Sequence, residues 1–227
     1  MVRRRTAVSV AALGLLLASP ALTACGSGPA HAGAAAVVGD QRITVSSLQS
    51  EVNELRTAVA KSPQGQQLLD SAGDLSTQML DRLVEDQVLA QALTDKHITV
   101  SDSEVQRDRQ AALDQFNGNE AQLDSTLLTQ YGVASGDIDH FFYRDVASSK
   151  LVQSLGYQPG SDGGITALTQ TLAKTGTSVG VHINPRYGTW DAKKATIGAG
   201  NDPWVVNKTP IAAAATADGG DAAATAS

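Results

Sequence analysis

Apolar residues fall at helical spacing through most of this chain and switch to alternation near its end. Leu48, Val52, Leu55 and Val59 recur at four-three-four intervals, which places them on one helical face. Ser46 with Gln49 reads as a capping box at the start of that helix, and Ser62-Pro63 ends it, because the residue before proline avoids the α region. Leu75, Met79, Leu83 and Val88, widened by Leu80, Val84 and Ala92, predict a longer helix over Asp74–Lys96. At 1.5 Å per residue it runs about 34 Å. Its other face carries Asp81, Arg82, Glu85 and Asp86.

Ile98-Thr99-Val100-Ser101 echoes Ile43-Thr44-Val45-Ser46, and Ser101 with Glu104 is a second capping box. The residues after the two segments differ, so this is a shared helix-start device and not a repeat. A third helix runs to about Phe116 and stops at Asn117-Gly118. A fourth carries Leu123, Leu127, Leu128 and Tyr131, with Gly132 at the position after its C-cap. A fifth begins after Ser135, shows Ile138, Phe141, Phe142, Val146, Val152 and Leu155, and closes at Gly156. Ile165, Leu168 and Leu172 make a short sixth helix stopped at Gly176.

The period then becomes two. Val179, Val181 and Ile183 alternate with Gly180, His182 and Asn184, as in a half-buried strand. At the other end, Val37–Ile43 reads as a hairpin turning at Gly39-Asp40. A hairpin is marginal alone, so the simplest closure pairs the late strand with it. The fold class is therefore mostly α, with a small β-sheet joining the two ends of the domain.

The flanks have a different character. Arg3-Arg4-Arg5, the apolar run 7–17 and Leu22-Thr23-Ala24-Cys25 form the charged, apolar and small-residue parts of a secretory signal over residues 1–24. A retained membrane span would need about 20 predominantly apolar residues, and Ser19, Pro20 and Thr23 interrupt one here. An ordinary secretory signal with a free thiol left over is the other alternative. Residues 25–36 read as a flexible tether, residues 37–206 as one domain, and residues 207–227, rich in Ala, Gly, Thr and Asp, as a disordered tail. The domain of about 170 residues is long enough for a well-buried core.

Charge narrows the function classes. Without residues 1–24 the chain has 14 Lys+Arg against 23 Asp+Glu, a net charge of −9. That balance disfavours nucleic acid, which selects a basic stripe, and disfavours lying on an anionic bilayer. Cys25 is the only cysteine, so no internal disulfide forms.

Catalytic patterns are missing from the sequence. His97, His140 and His182, with His31 in the tether, form no His-Glu-x-x-His pair, which leaves a zinc site without support. Asp137, Asp139 and His140 cluster locally. A metal or catalytic pair is one reading of them, and acids at a helix N-terminus followed by a surface histidine is the plainer one. No nucleophile elbow, Walker loop or dinucleotide fingerprint is present.

Two segments carry resemblances. Leu22-Thr23-Ala24-Cys25 resembles the bacterial lipoprotein box, which implies cleavage before Cys25, a diacylglycerol on its sulfur, palmitate labelling, and a place on the extracytoplasmic face of the bacterial cell membrane. Val38-Gly39-Asp40-Gln41-Arg42-Ile43-Thr44 followed by a helix looks like the opening of SurA-type chaperones. Asn184-Pro185-Arg186-Tyr187-Gly188-Thr189-Trp190-Asp191 is similar to the strand that closes their chaperone domain. The order of elements also resembles lipid-anchored PrsA-type foldases and the trigger-factor peptide-binding domain.

The resemblance implies a helical cradle for unfolded or partly folded secreted polypeptides, with no nucleotide, metal or other cofactor. Many relatives carry a parvulin isomerase domain before the closing strand. Here only residues 157–178 occupy that interval, so a non-enzymatic chaperone is expected. The alternative is a scaffold or binding lipoprotein with one dedicated envelope partner. Phe116, Tyr131, Tyr143 and Tyr157 are the candidate client-binding residues, with Tyr143 expected to be exposed. Phe141 and Phe142 read as core. Asn184, Pro185, Arg186, Tyr187, Gly188 and Trp190 form the structural closing motif, with an Arg over an aromatic ring.

Overall fold

A computed structural model describes residues 33–62, 65 and 74–198. The signal segment with Cys25 and the tail 207–227 lie outside the described residues. The elements are β1 Ala34–Val38, β2 Gln41–Thr44, α1 Val45–Ala60, α2 Leu75–Asp95, α3 Asp102–Gln115, α4 Glu120–Tyr131, α5 Ile138–Ser154, α6 Asp162–Val179, β3 Val181–Ile183, β4 Thr189–Asp191 and β5 Thr196–Gly198. Short 3₁₀ turns at Ser135–Asp137 and Pro185–Tyr187 precede α5 and β4. The fold is mostly helical, and a small sheet joins strands from its two ends, as the periodicity implies.

That sheet has the order β2-β1-β3. β1 runs antiparallel to both neighbours, with Val38 opposite Gln41 on one side and Val181 on the other. Gly39, at φ +56°, makes the hairpin turn in the left-handed region that glycine adopts freely. Its N–H donates to the Gly180 carbonyl at 3.1 Å and fastens the turn to the end of α6.

All five β1 residues are buried, Ala34, Ala35 and Ala36 included. The tether expected over residues 25–36 therefore ends sooner, because small side chains let this strand lie close against α2.

α2 is the central helix. It packs against α1, α5, α6, β1, β2 and β5. Leu48 and Val52 of α1, Leu80, Val84 and Val88 of α2, and Leu151 of α5 are fully buried together. Each contributes roughly 1.5–3 kcal/mol relative to exposure. A second core of Val105, Leu123, Leu127, Val133, Ile138 and Phe142 joins α3, α4 and α5.

Caps set the helix ends. The capping box of α1 is Thr44 with Ser47, two residues before the expected Ser46 and Gln49, because β2 runs straight into the helix. Asp74 caps α2 through the Ser76 and Thr77 amides. Ser101 and Glu104 form the expected box on α3, and Gly132 ends α4 at φ +62°.

Three expectations near the end of the chain are corrected. α6 does not stop at Gly176 but continues to Val179, so Val179 is helical and only Val181–Ile183 is strand. Ile165 is 56% exposed, while Leu172 and Ala173 turn inward. The Asn184–Asp191 motif is a 3₁₀ turn leading into β4, which pairs with β5 in a separate two-stranded sheet.

Candidate functional site

The polar face of α2 is an interior seam and faces other elements. Asp81 accepts the Ile197 amide at 2.6 Å and the Thr196 hydroxyl at 2.6 Å, which pins β5 to the helix. Arg82 donates to the carbonyls of Tyr131 at 2.8 Å and Gly132 at 3.1 Å, satisfying the C-terminal carbonyls of α4. Arg144 of α5 bridges Glu85 at 2.9 Å and Asp86 at 2.5 Å.

These groups border a cleft that forms the candidate site. It has a volume of about 340 Å³ and is half-open. Met79, Arg82, Leu83 and Asp86 recur on one face of α2 at three- and four-residue spacing, and His140, Phe141 and Arg144 do the same on α5. Glu51 of α1 and Val133 and Asp137 from the segment before α5 complete the wall. Met79, Leu83, Val133 and Phe141 give an apolar floor beneath a charged rim.

Burial and crowding shape the rim. Burial raises the carboxyl pKa of Asp86 and Glu85, against the pull of Arg144. Burial, followed by repulsion from Asp137 and Glu54, raises that of Glu51. Burial, followed by repulsion from Arg144, lowers the pKa of the Arg82 guanidinium. His140 Nε2 lies 3.9 Å from Asp86, and the His140 ring stacks on Tyr143 with centroids 6.1 Å apart. Among the described residues no group of three or more His, Cys, Asp or Glu is placed to hold a metal ion.

The four aromatic candidates do not converge on one surface. Tyr131 is 54% exposed and its ring lies 5.5 Å from Phe141, so it adjoins the cleft. Tyr157 is exposed beside a different depression, lined by Lys96, Ala167 and Lys174. Phe116 packs on the second core. Tyr143 packs on both cores and is half-buried instead of exposed, since α5 lies between the two clusters. Phe142 is core, whereas Phe141 lines the cleft. The local cluster of Asp137, Asp139 and His140 is divided: Asp137 and His140 face the cleft, and Asp139 pairs with Arg109 at 3.0 Å.

The closing motif locks the end of the domain to its start. The Asn184 amide group donates to the Ala34 carbonyl at 3.0 Å and its backbone N–H to Ala35 at 2.9 Å. Pro185 opens the 3₁₀ turn, and Arg186 stands 5.7 Å over the ring of Tyr187, which is buried. Gly188, at φ +121°, allows a backbone approach that a Cβ would close, at 2.3 Å from the Gly198 carbonyl. Trp190 lies against Gly176 of α6.

Sequence reasoning missed Glu51, Asp81 and Arg144 as site-building residues. The available signal was the density of charge on one face of α2, which on an outer helix faces water. Among the described residues no helix is long and apolar enough to cross a membrane.

A family model for the SurA-like N-terminal domain matches residues 1–155, from the first residue to the end of α5. No curated protein and no solved structure matches the chain. The matched region contains every residue that lines the cleft and stops before α6 and the closing motif. With two thirds of its length matched, the chain belongs to the SurA-like N-terminal domain family.

Proposed function

We propose that this protein is a membrane-anchored extracytoplasmic chaperone that binds unfolded or partly folded secreted polypeptides without isomerase activity, tethered through a diacylglycerol on Cys25. Family membership supports the chaperone role, and the lipoprotein-like segment before Cys25 supports the anchor. The observation that carries the reading is the half-open cleft, whose apolar floor is held between three helices by ion pairs and carbonyl contacts. Such a surface shelters apolar side chains while leaving the rest of a client in water. Residues 162–179, in the interval where many relatives carry an isomerase domain, form the single helix α6.

The test is suppression of aggregation by the purified full chain, with several unrelated unfolding proteins and no ATP. Light scattering that falls for most clients is the expected result. No effect on any client, with the protein shown to be folded, replaces this reading with a scaffold lipoprotein serving one dedicated envelope partner.

A further inference from the structure

We infer, on the basis of the chaperone reading, that the cleft selects client segments in which an apolar side chain is flanked by Lys or Arg. Met79, Leu83, Val133 and Phe141 offer the apolar part of the contact. The rim supplies the charge, and its cations are already engaged. Arg144 is held by Glu85 and Asp86. The guanidinium of Arg82 donates to two main-chain carbonyls. His140 stands beside Asp86.

Two lining carboxylates, Glu51 and Asp137, have no ion-pair partner among the described residues, and Glu54 stands beside them. A Cβ placed on Gly136 would come 2.6 Å from the Glu54 carboxylate, so α1 and the turn before α5 set Glu51 and Asp137 in the cleft wall, with Glu54 in the adjoining depression beside Gly136. Asp137 and Glu54 act on Glu51 by repulsion, which the weaker attraction of His140 does not offset, and Asp137 is itself attracted to Arg82. A client ammonium or guanidinium at that position removes the repulsion while the neighbouring apolar side chain leaves water. An acidic flank adds to it. The preference is a difference of affinities, built partly on rejection of the wrong charge.

The experiment measures fluorescence anisotropy of three labelled peptides with the purified full chain. They share one apolar centre and are flanked by Lys, by Ser or by Glu. The expected order is Lys tightest and Glu weakest, with neighbouring steps of roughly three- to tenfold, as a few partly exposed charge contacts give. The steps shrink in 0.5 M salt. Glu51→Gln with Asp137→Asn levels the series, and the charge-matched control Glu120→Gln with Asp162→Asn does not.

Equal affinities for the three peptides, or a ranking that survives Glu51→Gln/Asp137→Asn, overturns the selection and leaves the chaperone reading standing. Peptides that fail to bind while aggregation is still suppressed also overturn it, and move client binding to another surface. Failure of both assays removes the inference and the reading beneath it.

Discussion

The indole of Trp190 lies where a side chain on residue 176 would stand. A Cβ on Gly176 would come 2.8 Å from Trp190 Cζ2, closer than any real contact. Gly176 is thus the point where the β4–β5 hairpin rests on α6, although glycine is a poor helix residue. Gly176→Ala gains about 1 kcal/mol in helix propensity and loses roughly 1–3 kcal/mol to overlap with the ring. A net loss of stability of about 1 kcal/mol is expected in chemical denaturation. A variant more stable than the native chain would show that the ring moves aside freely.

Arg144 and Asp86 face each other between α5 and α2, with Asp86 12% exposed. Arg144→Ala leaves a buried carboxylate without its cation and costs about 2–4 kcal/mol, less than for a fully buried pair because Arg144 is itself 23% exposed. The double substitution Arg144→Met with Asp86→Leu restores part of that loss, since the more buried carboxylate is gone and Glu85, which also loses its cation, is 40% exposed and keeps contact with water. Denaturation of the single and double variants measures the difference. A double variant no more stable than Arg144→Ala would mean that the seam depends on polar contacts and not on charge balance.

Stability in acid depends on Glu104. Lys150, 2.6 Å away, and the Ser101 amide and hydroxyl lower its pKa from 4.5 to about 2. Because the folded value lies below the unfolded one, the stabilisation is present in full above about pH 4.5 and is lost as pH falls towards 2. The gap in stability between the native chain and Glu104→Gln should therefore be constant from pH 7 to 5 and close by about pH 2. A gap unchanged at pH 2.5 would contradict the linkage.

Much of this architecture is written locally. The Leu48–Val59 stripe, the Ser101–Glu104 box and the glycine after α4 are short-range signals, and each element follows from residues within a turn or two. The remainder depends on distant partners. α6 reads as broken at Gly176 because a sequence does not reveal that Trp190 occupies the space beside it. β5 has three residues and is held by Asp81, which stands 116 positions earlier. Ala34–Ala36 resembles a tether because a run of alanines carries neither a hydrophobic period nor strand propensity, yet all three are buried in the central strand. The cleft was the least legible part. Its acids and arginines have the pattern of a solvated face, and only the packing of α1 and α5 turns that face inward.

The role given to Cys25 is tested by Cys25→Ala, followed by metabolic labelling with palmitate. Loss of label is expected, with the chain either left unprocessed or released from the acyl-anchored pool, because the chain without residues 1–24 has a net charge of −9 and little attraction of its own for an anionic bilayer. Retained labelling would place the acyl group elsewhere.

The pairing of β1 with β3 sets a timetable for folding. Val38 meets Val181, so the middle strand of the sheet is among the first parts of the domain to be synthesised and its outer partner is among the last. Closing a loop of that length carries a large entropic cost, while the helices between depend mainly on nearby contacts. A nascent chain must therefore hold β1, with its five buried residues, beside the α1–α2 core until β3 arrives. For that interval the protein exposes an unpaired strand edge of its own, and during its own synthesis it has the same vulnerability as the chains it is proposed to protect.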